Sequence, residues 1–391
     1  MKRNLWLLPV FYGARAAYIY VPFLAPLLLA VGLNDFRILV LIAISQVVSG
    51  VMEIPTGYWA DRISRKASMM SGTMFGASAF VMYANVDGFN ALAVTAAVCS
   101  GLSTCLIAGA DSALLYETYQ SLGRESEAKV ADGHTRSIGG ITEALTTFAG
   151  IGLQTFISYR GFMWIQTGLM GLAFCIAMVL HEESVQHAHI PLRAIMRRCF
   201  KTPALTSTLC FAACAGGLSG VLVWWTPVYY LAESGLQIGR GPYGWVYNLC
   251  WGVFLMSIFV FRLSIRALDR RRERSLGALI ALAAVCYAAV VMSPVAIAMV
   301  GVWGTYYIRA NIIPIGGQMI NEKVISDAER ATVHSVSRSI MWVLFGAILA
   351  VSSFVAHVSD SARIGVATGG VVIVGLATAS FMWVRKANNS Q

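Results

Sequence analysis

The chain has 391 residues, of which 57% are hydrophobic and only 12% are charged, and its formal net charge is +10. Soluble globular proteins carry about 25% charged residues, so this composition excludes a water-soluble enzyme. The same apolar excess excludes a disordered chain, because so much surface has to be buried. Most of the chain is therefore expected to lie in lipid.

The apolar residues form twelve stretches of about 18 to 28 residues, the length at which a helix crosses roughly 30 Å of hydrocarbon. In chain order we predict spans at 5–31, 37–60, 67–86, 90–116, 136–159, 161–180, 203–232, 242–264, 275–293, 295–320, 337–358 and 364–384. Runs of this length are typical of membrane helices and not of barrel strands. The first run is too long for a signal peptide and a second span follows at once, so we expect it to be retained.

The basic residues predict the orientation of these spans. If the spans alternate, nearly every loop Lys and Arg falls on one side of the membrane, and the other side receives only Arg37, Arg160, Arg240 and Arg363. The positive-inside rule then places both termini in the cytoplasm. We predict a multi-pass protein of a bacterial inner membrane, surrounded by membrane lipids. The net charge follows from this topology and requires no nucleic-acid partner.

The longest polar interruption, residues 181–201, divides the spans six and six. It predicts a cytoplasmic connector between an N-terminal six-helix bundle at 1–180 and a C-terminal six-helix bundle at 202–391. Weak internal repetition supports two parallel repeats, because three matches share nearly equal shifts: Pro22 with Pro227, Asp61-Arg62 with Asp269-Arg270, and Arg136-Ser137-Ile138 with Arg338-Ser339-Ile340. The predicted fold class is an all-α polytopic membrane protein with twelve transmembrane helices in two pseudo-symmetric bundles.

Charged side chains inside the spans sort the helices by their surroundings. Apart from four arginines within two residues of a span end, they are Arg15, Glu53, Asp111, Glu143 and Arg309. A charge that faces lipid at the bilayer centre costs at least about 2.5 kcal/mol, so the helices that carry these residues are expected to surround a wet central cavity. The third, sixth, ninth and twelfth spans carry no charge and are expected to face lipid.

A loop motif follows the second span. The sequence reads Gly57-Tyr58-Trp59-Ala60-Asp61-Arg62-Ile63-Ser64-Arg65-Lys66. It resembles the loop signature of the major facilitator superfamily, G-x-x-x-D-R-x-G-R-K/R, with Ser64 in place of the second glycine. The resemblance extends over the whole chain through the twelve spans, the central connector and a weaker second copy at 269–274.

This resemblance implies a monomeric secondary transporter whose two bundles rock around a central site. It also implies that the loop acts as a cytoplasmic gate, holding the bundles together when the cavity faces outward, through Gly57, Asp61, Arg62, Arg65 and Lys66. The alternative is that these residues are only topogenic positive charges. Two features of the family are missing: the fourth span has no Arg at the usual place, and the fifth has no Gly-Pro pair of the kind that marks many drug/proton antiporters.

The charged residues of the first half are the candidates for proton coupling: Glu143 first, then Asp111, Glu53 and Arg15. Counted from the cytoplasmic ends, Glu53 and Glu143 lie about 10 Å deep and Arg15 about 16 Å, while Asp111 lies nearer the surface. A buried carboxylate beside a mobile guanidinium can take up and release protons. The alternative is a fixed ion-pair network that only joins the helices.

Aromatic and amide side chains are the candidates for contact with a substrate. They are Tyr18, Trp224, Trp225, Asn248, Trp251, Trp303, Tyr307, Arg309 and Asn311. Rings with a few orienting polar groups suit an amphipathic small organic molecule. The alternative for any single ring is the aromatic belt at the membrane interface.

Other chemistries find no support in the sequence. The 8 cysteines form no C-x-x-C pair, so we expect no metal site, and there is no phosphate-binding loop and no nucleophile–base arrangement, so we expect no cofactor and no enzyme. The leading expectation is proton-coupled export, that is antiport efflux, of an amphipathic solute. The alternatives are proton-coupled or facilitated uptake of a small organic solute, and a non-transporting receptor or lipid-handling protein with a transporter fold.

Overall fold

The computed structural model describes residues 1–182, 192–233, 272–292, 295–324 and 327–389, and every regular element in these ranges is a helix. In chain order the helices are α1 (Asn4–Arg15), α2 (Val21–Ala30), α3 (Asp35–Arg62), α4 (Arg65–Asn85), α5 (Ala91–Ile107), α6 (Ala110–Ser121), α7 (Glu125–Leu153), α8 (Tyr159–Val179), α9 (Leu192–Lys201), α10 (Pro203–Glu233), α11 (Arg272–Met292), α12 (Val295–Lys323), α13 (Asp327–Ser359) and α14 (Ala362–Asn389).

The all-α prediction is confirmed within these ranges. Six helical segments of the described chain are long and apolar enough to cross a membrane: Asp35–Arg62, Ala91–Ser121, Tyr159–Val179, Arg272–Met292, Thr332–Ser359 and Arg363–Asn388. The second, third, sixth, seventh, ninth and tenth predicted spans match helices to within about three residues. The predicted eighth span, 242–264, lies outside the described residues.

Two predicted spans are interrupted in the structure. The first, 5–31, is divided into α1 and α2 by residues 16–20, and Pro22 lies in the first turn of α2, where a missing N–H is tolerated. The fourth, 90–116, is divided into α5 and α6 at Gly109, whose φ of 90° lies in the left-handed region that glycine adopts without strain. Apolar length therefore predicted where the chain crosses but not where its helices break.

Three helices occupy segments that the sequence indicated as polar: α7, α9 and α13, which begins at Asp327 instead of the predicted 337. Helix α7 begins at Glu125, well before the predicted start at 136, because its polar first turns are stabilised by local ion pairs, Arg124 with Glu127 at 2.6 Å and Arg136 with Asp132 at 2.8 Å. Acidic residues in its first turn also favour the helix dipole. Within the predicted connector 181–201, residues 192–201 form α9.

The chain divides into two compact units. Of the described residues, 1–34 and 51–182 belong to unit 1, and 35–50 together with the residues from 192 onward belong to unit 2. Helix α3 therefore contributes its first half to unit 2 and its second half to unit 1. The division into bundles at 1–180 and 202–391 stays a prediction.

The interior of unit 1 is built on large apolar side chains and close helix contacts. Leu8, Phe11, Met69 and Leu114 are fully buried in one cluster formed by α1, α4, α6 and α8. Gly72 of α4 lies so close to α5 that an added Cβ atom would be 2.6 Å from the Ile107 side chain. Small residues at such contacts let membrane helices approach closely, where van der Waals packing stabilises them.

Unit 2 places α10 against α12, α13 and α14. The Tyr287 hydroxyl of α11 donates a hydrogen bond of 2.8 Å to the Leu218 carbonyl of α10. In this unit, the first half of α3 packs against α13, where the Ser339 hydroxyl donates to the Gly50 carbonyl at 2.6 Å. Each helix presents a glycine to the other, Gly50 and Gly346, so the two backbones come into direct contact.

Large apolar side chains remain exposed along several helices. Val285 of α11, Val371 of α14 and Leu145 of α7 are each more than 60% exposed. Apolar surface on this scale is unfavourable in water, whereas helices with internally satisfied backbones tolerate it in a bilayer. These helices therefore present the apolar outer surface that is typical of a membrane protein.

Candidate functional site

Two helix breaks in unit 1 bring the charged residues Arg15 and Asp111 together. Arg15 ends α1 and Asp111 lies in the first turn of α6, so each charge sits at the helix end whose dipole favours it. The Arg15 Nη2 and Asp111 Oδ2 atoms are 2.8 Å apart. The Asp111 side chain is 3% exposed and that of Arg15 is 23% exposed. The Asp111 Oδ1 atom also accepts a hydrogen bond of 2.7 Å from the Ser112 N–H.

Aromatic side chains surround this ion pair. The guanidinium carbon of Arg15 lies 4.8 Å from the centre of the Tyr12 ring, within the range of a cation–π interaction. The Tyr12 hydroxyl is buried and has no hydrogen-bond partner in the part of the chain that the structure describes. Tyr18, in the segment between α1 and α2, lies within electrostatic range of Arg15, Asp111 and Glu143. The Arg15 cation thus contacts both a carboxylate and an aromatic face.

Helix α7 presents Glu143 to the same region. Gly139 packs against Ala16, and Gly150 packs against Phe23, with added Cβ atoms placed 3.5 Å and 3.0 Å from those side chains. Positions 139, 143 and 150 share one helix face, so Glu143 lies along the contact with the break between α1 and α2. Its side chain is half-buried. The structure therefore brings three of the four proton-coupling candidates together.

The fourth candidate, Glu53, belongs to α3 and lies near Cys105 of α5. It is 2% exposed on α3, within electrostatic range of the Cys105 thiol. One turn later, the Thr56 hydroxyl donates to the carbonyls of Met52 at 2.7 Å and Cys105 at 3.3 Å. Arg15 has Asp111, Tyr12, Tyr18 and Arg136 as electrostatic neighbours.

The loop motif forms a network of charges at the junction of α3 and α4. Arg65 forms ion pairs with Asp61, at 3.2 Å, and with Glu117 of α6. The Arg62 guanidinium lies 4.5 Å from the centre of the Tyr58 ring. Gly57, half-buried, precedes Asp61 by one turn of α3. The position where the family signature has a second glycine is occupied by Ser64, which is extended and caps α4 by accepting from the Ala67 N–H at 2.9 Å.

Glu182 completes this junction, and the sequence offered no signal for it. Its carboxylate accepts hydrogen bonds from the N–H groups of Arg65, at 2.6 Å, and Lys66, at 3.2 Å, and from the Ser64 hydroxyl. A carboxylate at a helix N-terminus satisfies donors that have no partner within the helix. The end of α8 is thereby tied to the loop motif.

The Glu182→Ala substitution is expected to lower the free energy of unfolding by about 1 kcal/mol, the usual effect of losing a helix N-cap. The thermal unfolding midpoint of the purified protein in a neutral detergent checks this. Glu125→Ala is the matched control, because Glu125 is exposed and accepts a hydrogen bond from the Tyr116 hydroxyl of α6, away from the loop motif. An equal midpoint for Glu182→Ala and the wild type would contradict the prediction.

The substrate-cavity candidates of the second half are only partly described. Asn311 is buried and its amide donates to the Tyr307 carbonyl at 2.8 Å, while Tyr307 is half-buried. Asn248 and Trp251 lie outside the described residues. Four further candidates lie in helices α10 and α12, where the structure describes the backbone but not these side chains: Trp224, Trp225, Trp303 and Arg309. Their role in a cavity stays a prediction.

Long apolar helices, broken spans and a buried ion pair at the breaks define a helical membrane transporter. The chain belongs to the Major Facilitator Superfamily, whose sequence profile matches residues 7–337. The predicted fold is confirmed by this match, and a membrane transporter, not an enzyme, is what the family indicates.

Solved structures with the same fold cover nearly the whole chain. The nucleoside transporter NupG has 14% sequence identity and a TM-score of 0.73, with 98% of each chain covered. A POT family transporter in complex with a thioalcohol-conjugated peptide has 12% identity and a TM-score of 0.73, covering 98% of this chain and 96% of that one. A single-residue variant of the E. coli fucose:proton symporter FucP has 14% identity and a TM-score of 0.64, with 97% of each chain covered. Among curated protein sequences, none matches this chain.

Proposed function

We propose that this protein is a proton-coupled secondary transporter for an amphipathic organic cation, and that its direction is export in exchange for protons. The observation that carries the proposal is the contact of the Arg15 guanidinium with both the Asp111 carboxylate and the Tyr12 ring. An organic cation is recognised by the same two groups, a carboxylate and an aromatic face.

Competition for this carboxylate provides the coupling. A substrate cation that reaches Asp111 has to displace Arg15, and a proton that neutralises Asp111 weakens the hold on either cation. Glu143 lies in the same region and supplies a second proton acceptor. Because the substrate and the proton compete for the same negative charge, one leaves as the other binds, and this is antiport. Alternating access to the site follows from the rocking of two bundles that characterises the fold.

Uptake together with protons is the second candidate. It is favoured by the similar structures, which include a nucleoside transporter and a fucose:proton symporter. The same carboxylates serve symport if the proton and the substrate bind at the same time. The proton then binds a carboxylate, and Arg15 donates hydrogen bonds to hydroxyl or carboxyl groups of the substrate. The two directions move protons oppositely, so a single measurement separates them.

The test follows internal pH in proteoliposomes that contain a trapped pH-sensitive dye, while lipophilic cations, nucleosides, sugars and peptides are added outside in the absence of a pH gradient. Antiport predicts that a lipophilic cation alkalinises the interior, and symport predicts that a neutral solute acidifies it. Glu143→Gln and Asp111→Asn are expected to abolish the signal. Glu127→Gln is the matched control, since Glu127 is exposed on the polar start of α7.

A radiolabelled solute that enters without any pH change, equally in the wild type and both variants, would contradict proton coupling and assign the carboxylates a structural role. The compounds could instead shift the unfolding midpoint of the protein without entering the vesicles. That result would favour a receptor or lipid-handling protein. Monomeric behaviour is expected throughout and is checked by the mass of the protein in detergent.

A further inference from the structure

Helix α9 has two different faces. Ile195 and Cys199, one turn apart, are buried within unit 2. The opposite face is exposed and carries Arg193, Arg197 and Lys201, at successive four-residue intervals. Phe200 lies on this face and is 55% exposed. A large aromatic side chain is therefore held outward among basic groups.

This exposed face has a fixed position in the fold. The Arg198 guanidinium donates a hydrogen bond of 3.2 Å to the Lys323 carbonyl at the end of α12. The Thr206 hydroxyl of α10 donates to the Cys199 carbonyl at 2.6 Å, and only Thr202 separates α9 from α10. Helix α9 thus lies directly beside the start of α10, where Ala204, Leu205 and Leu209 are buried.

The charge of this face is not balanced by acidic residues of its own helix, because α9 contains none. In the described ranges, Arg193, Arg197 and Lys201 form no ion pair with a carboxylate. Basic side chains around an exposed aromatic ring match the interface of an anionic bilayer, where the phosphates meet the cations and the ring enters the acyl boundary.

From this match we propose that the exposed face of α9, formed by Arg193, Arg197, Phe200 and Lys201, binds the headgroups of anionic phospholipids in the cytoplasmic leaflet. This function is separate from solute transport and independent of its direction. Free inorganic phosphate shares the phosphate chemistry but cannot use Phe200.

The test uses the full-length protein, delipidated in a neutral detergent, and measures the apparent Kd for added phosphatidylglycerol from the rise in thermal unfolding midpoint. At about 1 kcal/mol for each basic residue near the interface, the triple variant Arg193→Gln, Arg197→Gln, Lys201→Gln is expected to bind about 100-fold more weakly. Phosphatidylcholine is expected to cause no comparable rise. Since all three side chains are exposed, the midpoint without lipid is expected to stay unchanged.

A charge-matched control removes three other exposed cations, by Lys2→Gln, Arg385→Gln and Lys386→Gln. It is expected to change the apparent Kd less than about threefold, and an equal loss in both triple variants would overturn the proposal. Phe200→Ser is expected to weaken binding of phosphatidylglycerol. Inorganic phosphate at the same concentration is expected to give no rise; if it reproduces the full rise in the wild type, the site binds phosphate and not lipid.

Discussion

The Asp111→Asn substitution is expected to lower the free energy of unfolding by about 3 kcal/mol and to abolish solute-dependent proton movement. Asp111 is 3% exposed and its Oδ2 atom lies 2.8 Å from the Arg15 guanidinium. Removing one member of a buried ion pair leaves the other charge without compensation, which typically destabilises a protein by 3 to 5 kcal/mol. We expect the lower end of that range because Arg15 is 23% exposed and partly solvated.

A double variant separates two effects: the destabilisation caused by an uncompensated charge, and the loss of transport. The Arg15→Gln, Asp111→Asn protein contains neither charge, so its stability is expected to recover above that of either single variant while transport stays absent. Chemical unfolding in detergent measures the stabilities, and the proteoliposome assay measures transport. The comparison pair is Arg124 and Glu127, which are 45% and 53% exposed and are expected to show no comparable coupling. Strict additivity of the Arg15 and Asp111 effects would contradict the buried pair.

The sequence predicted the spans well because apolar length is a local property. Residues 159–179 and 203–233 form helices almost at the predicted bounds. Breaks were missed where they depend on one residue within an apolar run, as at Gly109, because glycine occurs at many positions that remain helical. The same limit applies to α7, whose polar first turns are stabilised by side-chain pairs and not by apolar periodicity.

Prediction of the site was partial for a related reason. Depth counting placed Glu53 and Glu143 about 10 Å deep, Arg15 about 16 Å deep and Asp111 nearer the surface. The structure instead brings Arg15, Asp111 and Glu143 together, and Glu53 lies near Cys105 of α5. The choice of Asp111 as the partner of Arg15 depends on the two helix breaks, which the sequence did not reveal. Glu182 could not be found at all, because it reaches Arg65 across 117 positions of the chain. No local pattern encodes a contact between the end of one helix and the start of another.

The α9 face shows a further limit. The sequence predicts only a connector over residues 181–201, because this is the longest polar interruption between the apolar spans. Ile195 and Cys199 are buried because α9 packs against α10 and α13, and the contacts with α13 are distant in sequence. The basic face then follows as the side that is left exposed.

The Gly50→Ala substitution is expected to lower the free energy of unfolding by about 3 kcal/mol, at the upper end of the usual effect of overpacking. An added Cβ atom would lie 2.7 Å from the Val343 side chain, 2.8 Å from the Val343 backbone nitrogen and 2.9 Å from the Ser339 carbonyl oxygen. Backbone atoms cannot turn aside as a flexible side chain can, so α3 and α13 have to move apart. Gly346→Ala meets Val47 and the Ala43 carbonyl in the same way and is expected to have a similar effect.

Thermal and chemical unfolding in detergent measure this effect, with Gly168→Ala as the matched control. Gly168 lies in α8 with open space around its Cα atom, so alanine is expected to stabilise that helix by up to about 1 kcal/mol. The two substitutions thus differ in sign although the chemical change is identical. If Gly50→Ala, Val343→Ala regained full stability, the clash would involve only a side chain, and the close approach of the two backbones would be contradicted.

Transport is expected to fall with stability in the Gly50 variant. Helix α3 is continuous from Asp35 to Arg62, so a displacement at Gly50 is transmitted to Glu53 and to Asp61 in the loop motif. Since Gly168 has no such connection, its variant is expected to transport at the wild-type rate. A Gly50→Ala protein that loses stability but transports normally would show that α3 bends between Gly50 and Glu53, and that the motif is positioned from within unit 1 by Arg65, Glu117 and Glu182.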